Sequence, residues 1–151
     1  MECNIMVKNI ALGLCALVLV SGCSGKRSMS AENSLNAQFI KEAGSDRVFF
    51  GFDKHNVDEE GKATLHKQAE WLKSHESVKA VVEGNCDERG SQEYNLALGE
   101  KRAHSAKKVL VKNGIACERI ETISYGKERP ADMGHDEHAH KMNRRAVTVV
   151  K

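Results

Sequence analysis

The chain has 151 residues, a length for one domain with accessory segments. Hydrophobic residues make up 40% and charged residues 29%, ordinary values for a globular protein. The formal net charge of +2 is too small to argue for nucleic acid, which needs a concentrated basic face.

Lys8 supplies a positive charge ahead of residues 10–20, a run of eleven uncharged, mostly apolar side chains. A membrane-spanning helix needs about twenty, so the run has the length of a secretion signal. It ends in Val20-Ser21-Gly22-Cys23. Small side chains suit a peptidase that cuts before the cysteine, and a thiol can carry a thioether-linked diacylglycerol. The pattern resembles a bacterial lipobox. That implies removal of residues 1–22 and acylation of Cys23. Several acyl chains on one residue anchor stably, where a single chain is marginal. Ser24 follows, where aspartate often marks inner-membrane retention in enterobacteria. The expected place is the outer membrane, with the domain facing the periplasm. Met6 is an alternative start, because residues 1–5 add an acid, Glu2, that a signal does not need.

Residues 24–45 are polar, carry Gly25 and Gly44, and show a weak apolar rhythm at Leu35, Phe39 and Ile40. Residues 23–45 therefore read as the lipidated N-terminus and a flexible tether with one helical turn. The domain spans residues 46–151, without internal repeats.

Residues 48–52 are aromatic and β-rich and read as a strand. Asn56 followed by Glu59 has the spacing of a capping box. Leu65, Ala69 and Leu72 then share one helix face. Residues 78–82 read as a second strand. Leu96, Ala103, Ala106 and Leu110 line a second helix, which Asn113-Gly114 ends by supplying a left-handed residue. Residues 120–125 and 146–150 read as two further strands. The order β-α-β-α-β-β predicts an α/β (α+β) two-layer sandwich, with helices packed on a mixed sheet. Cys86 and Cys117 fall at opposite ends of the second helix, about 22–30 Å apart at 1.5 Å per residue. A disulfide needs α-carbons within about 7 Å, so no bond between them is expected.

The informative stretch is Glu83-Gly84-Asn85-Cys86-Asp87-Glu88-Arg89-Gly90, followed by Tyr94-Asn95-Leu96-Ala97-Leu98-Gly99 and Lys101-Arg102-Ala103. It lies where a strand ends and a helix begins, a junction that offers free backbone N–H groups to an anion. Asp87 adds a carboxylate and Arg102 a fork of donors suited to one. Taken singly, these are a helix cap and a solvated charge. Together they suit a ligand carrying both charges, such as the free amino-acid end of a side chain.

Four blocks carry a resemblance. They are Phe50-Gly51-Phe52-Asp53, residues 83–90, residues 94–103, and Ser124-Tyr125-Gly126-Lys127-Glu128-Arg129-Pro130 with Gly134-His135-Asp136-Glu137 and Asn143-Arg144-Arg145. In this order the domain resembles the outer-membrane protein A-like C-terminal domain family, and within it the peptidoglycan-associated lipoproteins. The resemblance implies that Arg102 takes the carboxylate and Asp87 the ammonium of meso-diaminopimelate in the peptidoglycan stem peptide. It places Phe52, Asp53, Cys86 and Leu98 among the other wall-contacting residues. It further implies peptidoglycan as the partner, the periplasmic protein TolB as another, and a role in envelope constriction at division. Many members carry histidine and a small alanine or threonine where this chain has Asn85 and Cys86. Contacts made through backbone atoms survive that change; a contact needing the imidazole does not.

Two other functions have partial support in the residues. His135, His138 and His140 with Asp136 invite a zinc amidase, but Gly134-His135-Asp136-Glu137 already belongs to the family pattern. Asp53 with Asp87 resembles a hydrolytic acid pair, without an accompanying nucleophile or metal triad. No enzyme activity, cofactor or metal is expected. A stator-like wall anchor of an inner-membrane motor needs a full membrane-spanning helix, which residues 10–20 do not supply. Arg144 and Arg145 support the site or pair with surface acids, at least one of them structurally.

Overall fold

The computed structural model describes residues 25–151, so residues 1–22, expected to be a signal, and Cys23, expected to be acylated, lie outside the described residues. Four strands form one mixed sheet: β1 (Arg47–Phe49), β2 (Ala80–Asn85), β3 (Ile120–Gly126) and β4 (Arg145–Val150). Their spatial order is β1-β4-β2-β3. β4 pairs antiparallel with both β1 and β2, and β2 pairs parallel with β3. Alternate residues of the central strands, Ala80 and Val82 on β2 with Ala146 and Val150 on β4, join the core cluster. Helices α1 (Gly25–Ala43), α2 (Glu59–Ser74) and α3 (Gln92–Lys112) contribute the facing side chains, including Phe39, Leu65, Leu72, Ala103 and Leu110. The result is the expected two-layer α/β sandwich. It has two helices more than the sequence order suggested: α1, and the short α4 (Glu137–Asn143) before β4.

Residues 23–45 were expected to form a flexible tether. Instead α1 covers nineteen residues of that segment, and its C-terminal half is part of the core. Phe39 and Ala43 are buried, and Phe39 meets Trp71 of α2 edge-on at 5.0 Å. Trp71 Nε1 donates to Glu42 at 2.7 Å. Asn36 bonds twice to Val150, donating to its carbonyl and accepting from its N–H, both at 2.9 Å. Helices of polar composition owe their stability to such docking rather than to propensity.

The first helix cap also differs from expectation. Asp58, not Asn56, caps α2, its Oδ1 accepting from Gly61 N at 2.8 Å. β2 starts two residues later than expected, because Val78 N closes a turn onto His75 O at 3.0 Å. It then runs on to Asn85, which delivers residues 85–87 to the C-terminal end of the sheet. α3 ends as anticipated. Gly114, at φ +96°, donates to Val111 O, and Ile115 donates to Leu110 O, the paired bonds of a glycine-terminated helix.

Candidate ligand-binding site

β2 ends at Asn85 and α3 begins at Gln92, capped by Ser91, whose hydroxyl accepts from Tyr94 N at 3.1 Å. Between these elements and the loop after β1 lies a cleft of about 210 Å³. All six sequence candidates line it: Phe52 and Asp53 from the loop, Cys86 and Asp87 from the end of β2, Leu98 and Arg102 from α3. Arg89, Gly90, Tyr94 and Asn95 complete the wall; they lie in the informative stretch of the sequence, which gave none of them a contact role.

Arg102 reaches this cleft without the irregular first turn that its distance along α3 would demand. α3 is continuous from Gln92. Gly84 and Gly99 instead remove the side chains between β2 and α3, so the helix lies directly on the strand end. The guanidinium is buried, the residue being 1% exposed. It donates to three backbone carbonyls: Lys54 at 2.9 Å, Asn85 at 2.9 Å and Gly51 at 3.2 Å. A guanidinium has five N–H donors, so two are not taken by these carbonyls, and the Cys86 thiol lies beside them. Among the described residues, no carboxylate lies within salt-bridge distance of Arg102. Burial pulls its pKa below the ordinary value, partly offset by Cys86 and Asp87. An arginine nevertheless stays charged, and a buried cation calls for an anionic partner.

Asp87 is equally buried, at 4% exposed, but it is paired. Arg89 and Arg144 both bind its carboxylate, at 2.5 and 3.3 Å. Burial pushes this carboxyl up, but the hydrogen bonds from Arg89 and Arg144 outweigh it and hold the pKa below the usual value. Arg144 is fixed in turn by Phe50 O at 3.0 Å and Glu137 at 2.8 Å. It therefore orients Asp87. Arg145 points elsewhere, donating to the carbonyls of Asn143 and Arg129.

The remaining walls are held by short-range bonds. Asn95 Nδ2 donates to Arg89 O at 2.7 Å and Ser91 O at 3.0 Å, fixing the loop before α3. The Cys86 thiol donates to Asn95 O at 3.3 Å, and burial raises its pKa against the pull of Arg102. Cys86 and Cys117 are both free. Asn85 serves Arg102 through its carbonyl rather than its side chain, so this support is indifferent to the residue type there. Asp53 sits at φ +55°, the one non-glycine with positive φ among the described residues, and accepts from the Tyr94 hydroxyl. Strained backbone of this kind is concentrated at functional sites.

The histidines have separate tasks. His135 Nδ1 and His140 Nε2 both meet Glu88, at 2.8 and 3.2 Å, and pull its carboxyl below the usual range. Asp136 caps α4 by accepting from Ala139 N, and His138 lines a different cleft with Phe49 and Lys141. Among the described residues, no three His, Cys, Asp or Glu side chains are placed to hold a metal.

The OmpA family model matches residues 49–144, which include every residue of this cleft. The chain belongs to the OmpA family. It is 40% identical over 152 residues to the peptidoglycan-associated lipoprotein of Mesorhizobium japonicum, covering 93% of this chain and 90% of that one. It is 42% identical over 132 residues to the peptidoglycan-associated lipoprotein of Pasteurella multocida, covering 86% and 88%. The crystal structure of the peptidoglycan-associated lipoprotein from Burkholderia pseudomallei superposes with a TM-score of 0.69 at 42% identity, over 72% of this chain and 92% of that one. The relatives from Mesorhizobium japonicum and Pasteurella multocida are both named as lipoproteins associated with peptidoglycan.

Proposed function

We propose that the chain is an outer-membrane lipoprotein, acylated at Cys23, that holds peptidoglycan non-covalently and so ties the outer membrane to the wall. The ligand is the free amino-acid end of meso-diaminopimelate in the stem peptide. Arg102 takes its carboxylate and Asp87 its ammonium, while Phe52, Asp53, Cys86 and Leu98 form the walls. The observation that carries this reading is the pairing of unlike buried charges in one cleft: a guanidinium that has no carboxylate partner among the described residues, and a carboxylate, Asp87. Relatives named for peptidoglycan association support it. Partners on this reading are peptidoglycan, outer-membrane lipid through Cys23, and TolB, within a Tol system acting in envelope integrity and division.

Sedimentation with purified sacculi tests the reading. The protein should pellet with them, and free meso-diaminopimelate should release it in a dose-dependent way. Failure to pellet, or pelleting that free diaminopimelate leaves untouched, removes this ligand.

A further inference from the structure

Asp87 is fully engaged in the free domain. Its Oδ1 accepts from the Arg89 backbone N–H at 3.2 Å and from Arg89 Nε at 3.3 Å. Its Oδ2 accepts from Arg89 Nη2 at 2.5 Å and from Arg144 Nη1 at 3.3 Å. An ammonium arriving at Asp87 finds its place filled by a guanidinium. The two arginines differ in how firmly they are held. Arg144 has a side chain only 6% exposed and is tied to Phe50 O and Glu137. Arg89 has a side chain 37% exposed and lies over the Phe52 ring at 4.2 Å, at the mouth of the cleft. Arg89 Nη1 also stands 3.7 Å from Glu137 Oε2, an anion to which it can turn when it leaves Asp87.

We propose that Arg89 is a built-in competitor for the ammonium position on Asp87, so that the cleft refuses lone amines and admits an ammonium only when a carboxylate on the same ligand reaches Arg102. A planar guanidinium matches a carboxylate through two parallel bonds, which a single ammonium cannot. Stacking on Phe52 adds to its hold. A simple amine has nothing further to offer and loses the exchange. A zwitterionic end adds a second contact, to the Arg102 cation, which Arg89 cannot imitate. Arg89 thus acts by rejecting competitors rather than by touching the ligand. This rests on the diaminopimelate reading for the preferred ligand, but not for the competition at Asp87.

Calorimetric titration of the full-length protein in detergent separates the two. The probes are meso-diaminopimelate and 1,5-diaminopentane, the same carbon chain without its carboxylates. Arg89→Ala should bind diaminopimelate roughly three- to tenfold more tightly, about 0.7–1.4 kcal/mol. It should also bind 1,5-diaminopentane where the parent does not, and lose it again in the double variant Arg89→Ala, Asp87→Asn. Arg89→Lys, which keeps the charge but not the paired bonds, should fall between. Weaker or unchanged diaminopimelate binding by Arg89→Ala would make Arg89 a ligand contact or a bystander and overturn the proposal. So would the absence of any gain in diamine binding. If neither parent nor variant takes diaminopimelate, the ligand assignment fails while the diamine arm still decides whether Arg89 guards Asp87.

Discussion

Gly84 of β2 lies against Gly99 of α3 so closely that a Cβ on Gly84 would sit 1.8 Å from the Gly99 carbonyl oxygen. That oxygen belongs to helix backbone and cannot swing aside. Arg102 is one turn further along α3, so this contact sets its height above the end of β2. A Cβ on Gly99 would meet the Ser124 Oγ at 2.3 Å, an atom on a side chain that can rotate. Gly84→Ala should therefore cost about 3 kcal/mol or abolish folding, and Gly99→Ala about 1–3 kcal/mol, as overpacking does. Urea unfolding curves measure both. A Gly84→Ala protein as stable as the parent would show that β2 and α3 are not in contact there.

Two cap-forming residues precede α2, and only Asp58 accepts a helix N–H, from Gly61. Asp58→Ala should lower stability by about 1 kcal/mol. Asn56→Ala should change it by less than about 0.5 kcal/mol, the usual range for surface positions. Thermal melts of the pair decide which residue starts the helix; the reverse ranking would restore Asn56.

Phe39 is fully buried against Trp71. Phe39→Ala should cost about 3–5 kcal/mol, the range for emptying a buried aromatic site. A true tether would give close to zero, and denaturant midpoints distinguish the two outcomes.

The parts of the fold that rest on strong periodicity were legible in the sequence. Leu65, Ala69 and Leu72 on α2, and Ala103, Ala106 and Leu110 on α3, are all buried core residues. α1 was not legible, because its stability comes from two deep residues, Phe39 and Ala43, and from the Asn36–Val150 bonds to a strand far away in sequence. α4 has only seven residues, too few for a periodic signal, although Asp136 before Glu137 is a start signal that could have been read. In the cleft, Asp87 and Arg102 stood out as unlike charges beside a strand–helix junction. Arg89 did not, since a loop arginine two residues from an aspartate looks solvated until its stacking on Phe52 is seen.

The Asp87 carboxyl has a pKa held below its ordinary value in the folded state. An unfolded aspartate titrates near 3.9. The stabilisation is therefore complete above about pH 4 and is lost as pH falls through the lower folded value. At neutral pH, Asp87→Asn should be less stable than the parent, and the gap should close on acidification below about pH 4. Glu88 and Glu137 shift in the same direction but lie at the surface, where salt screens them. Repeating the pH series in high salt should suppress their share and leave that of Asp87. A gap that stays constant down to pH 2 would mean that Asp87 is not ionised in the native pairing.

If Arg102 and Asp87 grip one zwitterionic wall group, equilibrium sedimentation with sacculi reads that grip most directly. Each charged hydrogen bond contributes about 1.5–3 kcal/mol, so Arg102→Ala and Asp87→Ala should each weaken wall binding tenfold or more. Arg102 also supports the carbonyls of Gly51, Lys54 and Asn85, so circular dichroism must first show each variant folded. Arg102→Lys provides a milder second variant, keeping the charge while losing the fork, and should bind between the parent and Arg102→Ala. Folded Arg102→Ala and Asp87→Ala proteins that pellet with sacculi as well as the parent would contradict the account.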